Sequence, residues 1–184
     1  MVNNVHERLF NTHLTIAMAG ELIDRLGEGR NDALWPAGYW PPIRFDRPLG
    51  VGAVGGHGPI RYFVEAYEPG RSIRFRFTAP RGFVGTHVFD VRSVAPETVQ
   101  FRHALTMRLE GMARLSWPLI YRWLHDALIE DALDCAEANC TSQPVKKRRW
   151  SLWVRLLRHL TSYAMHLKQA ARRGRSVSRS RKET

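Results

Sequence analysis

The sequence predicts an α+β domain over residues 1–143, in which a curved antiparallel sheet wraps around a long C-terminal helix. Two observations predict it. Two consecutive segments alternate apolar and polar residues, as the strands of a half-buried sheet do, and residues 115–140 repeat apolar residues every three or four positions, as one long helix does. A basic amphipathic helical tail over residues 144–184 follows the domain.

The charge of the chain is divided unevenly between these two parts. The 184 residues carry a formal net charge of +11. Residues 1–145 contain 15 Lys and Arg against 16 Asp and Glu, whereas residues 146–184 contain 13 basic residues against Glu183 alone. We therefore expect any polyanionic partner to bind the tail. A hydrophobic content of 44% excludes a wholly disordered chain.

Three elements are predicted before the first hairpin. Residues Val5–Leu14 are expected to form a strand, and Ala17–Leu26 a short helix that ends at the glycines that follow. The Pro, Gly and aromatic residues of Trp35–Pro59 predict a long structured loop, with a short strand near Ile43–Asp46.

Cysteine usage and the N-terminus predict the compartment. Cys135 and Cys140 are five residues apart on the predicted helix and do not face each other, so no disulfide is expected. No apolar stretch follows the first residues, which excludes a secretory signal there. We expect a cytoplasmic protein, peripheral at the inner membrane face where its tail binds lipid.

The first hairpin is the clearest local signal in the sequence. Apolar residues alternate on both sides of a central Pro-Gly pair: Ile60, Tyr62, Val64 and Ala66 before it, and Ile73, Phe75 and Phe77 after it. The pair suits a type II turn. Pairing about this centre places Val64 opposite Phe75 and Tyr62 opposite Phe77. Both sets then share one apolar face.

A second hairpin is predicted from Val84–Val94 and Glu97–Leu109. Its inner face consists of alternate residues of both strands: His87, Phe89, Val91, Val99, Phe101, His103, Leu105 and Met107. A three-residue loop over Val94–Pro96 places Phe89 opposite Phe101. The same loop places His87 opposite His103, so two imidazoles are expected to face the apolar side together.

Residues Leu115–Cys140 predict a long amphipathic helix that closes the sheet. Its apolar stripe consists of Trp117, Ile120, Tyr121, Leu124, Leu128, Ala132, Cys135 and Ala136, and the remaining face carries Arg122, Asp126, Glu130, Asp134 and Glu137. The inner face of the sheet is the only comparable apolar surface upstream. We therefore expect the stripe to pack on it.

Four segments of the chain resemble the START-like superfamily, also called SRPBCC, of polyketide cyclase/dehydrase and lipid-transport type. They are Gly55–Tyr62, Tyr67–Arg71 leading into Phe75–Phe77, Gly85–Phe89, and Trp117–Leu119 continuing to Leu133-Asp134. The resemblance is to bacterial members, covers residues 5–140 and none of the tail, and implies the helix-grip fold with an internal cavity. Its members bind different ligands and catalyse different reactions, and no catalytic residue carries over by position.

A ligand between sheet and helix would contact the residues predicted to point inward. The predicted ligand-binding set is Tyr62, Val64, Phe75, Phe77, His87, Phe89, Phe101, His103, Leu105, Met107, Ile120 and Leu124. The competing interpretation is that these side chains fill a solid core.

The candidates for catalysis are His87 and His103, because a neutral imidazole on an apolar wall can hold a ligand oxygen or move a proton. The alternative is a pair of structural histidines bonded to Tyr62, Thr106 or each other. No metal and no cofactor are expected, because the sequence offers no obvious inward carboxylate beside these imidazoles.

Two loop features add alternatives at the entrance of such a site. His57 lies among glycines in a loop that would bend back over the opening. Trp35, Tyr39 and Trp40 would form an aromatic rim there, or would instead pin their own Pro-rich loop.

The tail sequence predicts an amphipathic helix of about 20 residues that follows a basic cluster, Lys146–Arg149. Tryptophans on one face and arginines on the other favour an anionic membrane surface. The predicted membrane-binding residues are Trp150, Trp153, Arg155, Leu157 and Arg158. The alternatives are docking on its own domain or on a second copy in a homodimer, and binding of nucleic acid, which the Arg/Ser-rich end favours.

Three functions remain open from the sequence. The first is a non-catalytic protein that binds a lipid-like or aromatic small molecule and reaches the membrane through its tail. The second is a cyclase- or dehydrase-like enzyme that uses His87 or His103. The third is an interaction protein that acts through its tail. Ligand, pathway and oligomeric state are not encoded in any motif.

Overall fold

The computed structural model of the chain describes residues 1–11, 15–145 and 148–162. It divides into two compact units, Met1–Arg148 and Arg149–Thr184, so the division falls a few residues after the predicted boundary. The first unit is an α+β domain in which a seven-stranded curved antiparallel sheet packs against a long C-terminal helix, as predicted.

The sheet has the strand order β1-β7-β6-β5-β4-β3-β2, so that strands distant in sequence meet at one edge. Its strands are β1 Val2–Asn11, β2 Arg44–Phe45, β3 Val54–His57, β4 Ile60–Glu68, β5 Ser72–Ala79, β6 Phe83–Ala95 and β7 Thr98–Leu109. The first strand therefore starts earlier than predicted, and residues 12–14 of that prediction lie outside the described residues.

The β4–β5 hairpin has the predicted register. Tyr62 pairs with Phe77 and Val64 pairs with Phe75. In the turn, Gly70 has a φ of 72°, which a type II turn requires at that position. The alternating pattern determined this hairpin because the turn residues and the apolar residues agree on one centre.

The β6–β7 hairpin has a register that differs by two residues from the predicted one. The predicted pairs were wrong: His87 pairs with Leu105, and Phe89 pairs with His103. The turn lies further along the chain, because Ala95 pairs with Thr98 after a register shift, and Glu97 takes a positive φ of 60° within it. A shift of two residues leaves the same side chains on the inner face.

The segment predicted as a glycine loop around His57 is a strand. Residues of β3 pair with the start of β4, with Gly55 opposite Tyr62 and His57 opposite Ile60. Gly56 lies so close to the neighbouring strand that an added Cβ would come 2.0 Å from the carbonyl oxygen of Ile60. The glycines thus serve close strand approach rather than a loop over an opening, which corrects that expectation.

The helices cover one side of the sheet. They are α1 Ile16–Asp24, a 3₁₀ turn Gly29–Asn31, α2 Ala113–Ser116, and α3 Arg122–Thr141, which follows α2 through the π-helical turn Trp117–Tyr121. The side chain of Thr15 accepts a hydrogen bond from Met18 N and caps α1. The sheet and the closing helix share a core cluster of Phe83, Leu105, Met107, Ala113 and Trp117.

The described part of the second unit is helical over residues 152–162. The guanidinium of Arg158 lies 3.8 Å from the ring centroid of Trp150. Leu152, Leu156 and Leu160, four residues apart, are 79%, 47% and 56% exposed. The later part of the predicted tail helix and the Arg/Ser-rich end lie outside the described residues. Among the described residues, no helix has the length and apolar character needed to cross a bilayer.

Candidate functional site

The predicted ligand-binding residues lie on the inner face of the sheet and on the closing helix. Nine are buried: Tyr62, Val64, Phe75, His87, Phe89, Phe101, His103, Leu105 and Met107. Phe77, Ile120 and Leu124 are half-buried. The odd-numbered residues of β5, β6 and β7 therefore point toward the closing helix, which places them where a bound molecule would contact them.

His87 and His103 form a direct pair inside this face. His103 Nε2 lies 3.3 Å from His87 Nδ1 as a diagonal neighbour across β6 and β7. Burial, aided by neighbouring histidines, lowers the pKa of both imidazoles well below the usual value. Both rings are therefore neutral at physiological pH.

Each member of this pair keeps one nitrogen without a partner. His87 Nε2 and His103 Nδ1 are buried and have no hydrogen-bond partner among the described residues. Each neutral imidazole carries one N–H, and one ring of the pair uses its N–H to donate to the other ring. The two nitrogens left over are therefore one bare nitrogen and one N–H, whichever ring is the donor. The pair therefore presents one donor and one acceptor to the interior, and each unsatisfied buried group costs roughly 1–3 kcal/mol.

Aromatic rings surround the imidazole of His87. The ring of Phe75 stacks on it at a centroid distance of 4.9 Å, and that of Phe77 does so at 4.8 Å. Tyr62 meets it edge-on at 5.0 Å. This environment excludes water from the ring faces and leaves the ring edge as the polar contact.

Tyr62 connects this group to a third histidine. Its hydroxyl lies 3.3 Å from His57 Nδ1, and the ring of His57 lies 4.6 Å from that of Trp35. Burial lowers the pKa of His57 to about 3 and raises that of Tyr62 well above its usual value. His57 and Tyr62 are thus both neutral polar groups in an aromatic setting.

The two buried tryptophans of the Pro-rich loop fix its conformation. Trp35 Nε1 donates to the carbonyl of Pro41, within the loop itself. Trp40 Nε1 donates to Asp131 Oδ2 on α3 over 2.8 Å, so that loop and helix are joined. Trp35 and Trp40 are 5% and 7% exposed, whereas Tyr39 is 52% exposed. Of the two alternatives, the structure favours a loop pinned by its own aromatic residues over an aromatic rim.

His125 is a member of the site that the sequence interpretation missed. Its ring lies 5.1 Å from that of His103 and 5.6 Å from that of Trp117, and its Nε2 is buried with no partner among the described residues. The predicted stripe named Leu124 instead. The π turn before α3 adds a residue to one turn, which rotates the inward face of the helix by about one position.

The charged face of α3 is covered by β1. Arg8 donates to Asp134 over 2.7 Å, to Glu137 over 2.8 Å and to Glu130 over 2.8 Å. The carboxylate of Asp134 is 1% exposed and also pairs with Arg148. Burial opposes this arrangement, yet hydrogen bonds from the two arginines keep the pKa of Asp134 below its usual value. A buried ionic network therefore joins the first strand to the closing helix.

The same contact brings His6 to a pair of carboxylates. His6 Nδ1 lies 2.8 Å from Glu130 Oε1, and His6 Nε2 lies 3.2 Å from Asp126 Oδ1. Burial acts to lower the pKa of His6, but the two carboxylates outweigh it and raise the pKa. The sequence signal for this cluster is the polar residues at the even positions of β1. A hydropathy pattern alone does not show that these residues point inward.

Comparisons with solved structures agree on the fold. CalU16 from Micromonospora echinospora matches with a TM-score of 0.54 at 10% identity, over 88% of this chain and 84% of its own. A solution structure from Thermobifida fusca matches with a TM-score of 0.55 at 11% identity, over 79% and 98%. Truncated norcoclaurine synthase from Thalictrum flavum matches with a TM-score of 0.53 at 13% identity, over 75% and 94%.

Sequence comparisons add no family. No protein-family model matches the chain, and no curated protein sequence does. At these identities the structural similarity concerns the fold alone. The helix-grip fold that the resemblance implies is confirmed for the first unit.

Proposed function

We propose that the helix-grip domain binds a small, mostly apolar molecule that carries at least one polar oxygen, between the sheet and the closing helix. The observation that carries this proposal is the pair of unpartnered nitrogens on His87 and His103. A hydroxyl group on the ligand would accept from the N–H or donate to the bare nitrogen, a carbonyl oxygen would accept from the N–H alone, and the aromatic rings around His87 would contact the apolar part of the ligand.

An aromatic ligand fits these surroundings best. The rings of Phe75 and Phe77 stack on the imidazole of His87 and the ring of Tyr62 meets it edge-on, and ring contacts of these kinds favour a planar guest. A structural neighbour, norcoclaurine synthase from Thalictrum flavum, has been solved in complex with dopamine and hydroxybenzaldehyde. Those two compounds combine a ring with polar oxygens, which is the chemistry proposed here.

Binding is favoured over acid–base catalysis by the protonation states. A general base works best when its pKa lies near the operating pH. Burial lowers the pKa of His87 and of His103 far below that range, so both imidazoles are weak bases and serve as neutral hydrogen-bonding groups. The cyclase-like alternative requires ligand binding to reverse this shift.

Native mass spectrometry of the gently purified full chain tests the proposal. We expect a retained small molecule that leaves on denaturation. A second arm titrates the protein, freed of ligand, with 4-hydroxybenzaldehyde and with benzaldehyde. We expect the hydroxylated probe to bind about fivefold more tightly, the equivalent of one hydrogen bond of about 1 kcal/mol.

Two variants make this second arm specific. In His87→Phe the preference for the hydroxylated probe should disappear, while His159→Gln, an exposed histidine of the second unit, should keep it. A protein that emerges empty and binds neither probe would overturn the proposal. So would equal binding of both probes by the unchanged chain, because buried water would then satisfy the imidazoles.

We also propose that the tail associates with an anionic membrane surface. Leu152, Leu156 and Leu160 form an exposed apolar stripe on the helix over 152–162. The segment 146–184 has 13 basic residues against one acidic residue. A helix with an apolar stripe and many cations is typical of interfacial binding and is drawn to anionic lipid.

Sedimentation with phosphatidylserine-containing vesicles at low salt tests this second proposal. We expect the full chain to sediment, and expect pure phosphatidylcholine vesicles or high salt to release it. Replacing Leu152, Leu156 and Leu160 by Ser should abolish sedimentation. Replacing Leu115 and Leu119, which are 58% exposed on the first unit, should not. Unchanged sedimentation of the triple variant would refute the assignment, as would preferential binding of RNA over vesicles.

A further inference from the structure

A second group of polar side chains lies beside the proposed ligand site, where β1 meets α3. His6 from β1 and His125 and Asp126 from α3 each offer one ligand atom, and these atoms all lie within 4.8 Å of one another. The side chains of His6, His125 and Asp126 are 13%, 16% and 31% exposed. The group is therefore shielded from bulk water but reachable from it.

Two of the three distances within this group match those between ligands of one metal ion. Asp126 Oδ1 lies 3.2 Å from His6 Nε2 and 3.2 Å from His125 Nδ1. Two donors that each lie about 2.1 Å from a shared ion are about 3.0 Å apart at a right angle and about 3.4 Å apart at the tetrahedral angle. The observed separations fall between these two values.

Neighbouring residues hold the ligands as the outer shell of a metal site does. Glu130 Oε1 lies 2.8 Å from His6 Nδ1, the nitrogen that faces away from Asp126. Asn4 Nδ2 donates to Asp126 Oδ1 over 2.9 Å. A carboxylate behind the remote nitrogen of a ligating histidine fixes its tautomer and raises its basicity.

Two buried polar atoms without hydrogen-bond partners lie in the residues of this group and its neighbour Asn4. Asn4 Oδ1 and His125 Nε2 are buried and have no hydrogen-bond partner among the described residues. A single oxygen of Asp126 faces three nitrogen groups, from Asn4, His6 and His125. An ion in this cluster would replace the imidazole protons that face that oxygen.

We propose that His6, His125 and Asp126 bind a divalent first-row transition-metal ion, such as Zn²⁺, at the junction of the first strand and the closing helix. Two imidazoles and one carboxylate suit Zn²⁺, Fe²⁺ or Co²⁺ rather than Mg²⁺ or Ca²⁺, which prefer oxygen ligands. With three protein ligands, the ion keeps a coordination position for water. None of the three ligands of this ion belongs to the His87–His103 pair, although the ring of His125 lies 5.1 Å from that of His103.

The expectation of a metal-free protein rested on the lack of an inward carboxylate near the imidazoles. That premise concerned His87 and His103, whereas the structure places Asp126 beside two other imidazoles, those of His6 and His125. The signal in the sequence was the even-numbered polar positions of β1, which face α3. His6 and Asp126 are 120 residues apart, so no local spacing motif could reveal them.

Metal titration of the full chain tests the proposal. The protein is first dialysed against a chelator and then titrated with Zn²⁺ by calorimetry, and with Co²⁺ while its visible absorption is recorded. We expect one ion per chain and d–d bands typical of nitrogen and oxygen ligation. Asp126→Asn and His6→Gln should each weaken Zn²⁺ binding by more than tenfold, and Glu130→Gln by about tenfold.

His159→Gln is the matched control, since it removes an exposed histidine of the second unit and should leave the affinity unchanged. Circular dichroism in chelator shows whether each variant is folded. Asp126→Asn keeps shape and hydrogen bonds, so it tests the site even where His6→Gln unfolds. A chain that takes up no ion, or an affinity equal in Asp126→Asn and in the unchanged chain, would overturn the proposal. A loss in His159→Gln equal to that in Asp126→Asn would do so as well.

Discussion

Acidification should destabilise the domain through its buried histidines. The unfolded chain protonates an imidazole with a pKa of 6.5, whereas His87 and His103 stay neutral far below that value because they are buried. The unfolded state therefore binds more protons between these values, so stability rises with pH in this range and falls on acidification. The contribution of each group is fully present above about pH 6.5.

The loss in the free energy of unfolding follows from the lowered pKa values of these histidines. At pH 5, about 1.5 units below the unfolded pKa, each neutral histidine costs the folded state about 2 kcal/mol. His87 and His103 together account for about 4 kcal/mol, and His57, with a pKa of about 3, adds about 2 kcal/mol. His6 has a raised pKa and acts in the opposite direction, offsetting part of this loss.

Urea unfolding at pH 8 and pH 5, at constant ionic strength and in chelator, measures the difference by far-UV circular dichroism. With a slope of about 2 kcal/mol/M, a loss of about 4–6 kcal/mol lowers the midpoint by about 2–3 M. His87→Phe should remove about 2 kcal/mol of this pH dependence. An equal midpoint at both pH values, or an NMR titration of His87 near pH 6.5, would refute the reasoning.

Three further predictions concern stability and reactivity. Arg8→Met should lower the free energy of unfolding by about 3 kcal/mol at pH 7, because it removes one partner of the buried Asp134 carboxylate. Arg25→Met, in an exposed ion pair, should lower it by less than about 0.5 kcal/mol. Urea titration of both variants measures the difference. Gly20→Ala should lower the free energy of unfolding by about 1–3 kcal/mol in the same assay, because the added Cβ would lie 1.9 Å from the carbonyl oxygen of Gly70. Gly38→Ala should lower it much less, because no atom lies within 4 Å of the added Cβ. Cys135 and Cys140, whose pKa burial raises to about 11, should react with Ellman's reagent slowly at pH 8 and rapidly in urea; equal rates would contradict this.

The sequence determined those parts of the fold whose signals are local. The β4–β5 hairpin was predicted to the residue because alternation and turn chemistry agree. The β6–β7 register was wrong because the apolar pattern repeats every two residues, so a shift of two is invisible to it, and an irregularity near Ala95 moved the turn. Alternation cannot distinguish these two registers.

The parts of the site that escaped prediction depend on long-range contacts. His125 reaches the interior because a π turn precedes α3, and no sequence rule locates such a turn. The partners of Arg8 on α3 lie 122 to 129 residues away. A hydropathy pattern assigns polar residues to the outside, whereas β1 points Asn4, His6 and Arg8 toward the helix and leaves Val5 and Leu9 exposed.

The placement of β1 has a consequence for synthesis of the chain. Its hydrogen-bonding neighbour is β7, whose first residue is Thr98, and its ionic partners on α3 extend to Glu137. A ribosome makes β1 before the strand and helix on which it docks, so β1 has no place to dock until nearly the whole domain has emerged. The alternate polar residues keep β1 hydrated before it docks. Its charges then determine the register, because a shift by one residue would turn Arg8 toward water and Leu9 toward the carboxylates of α3.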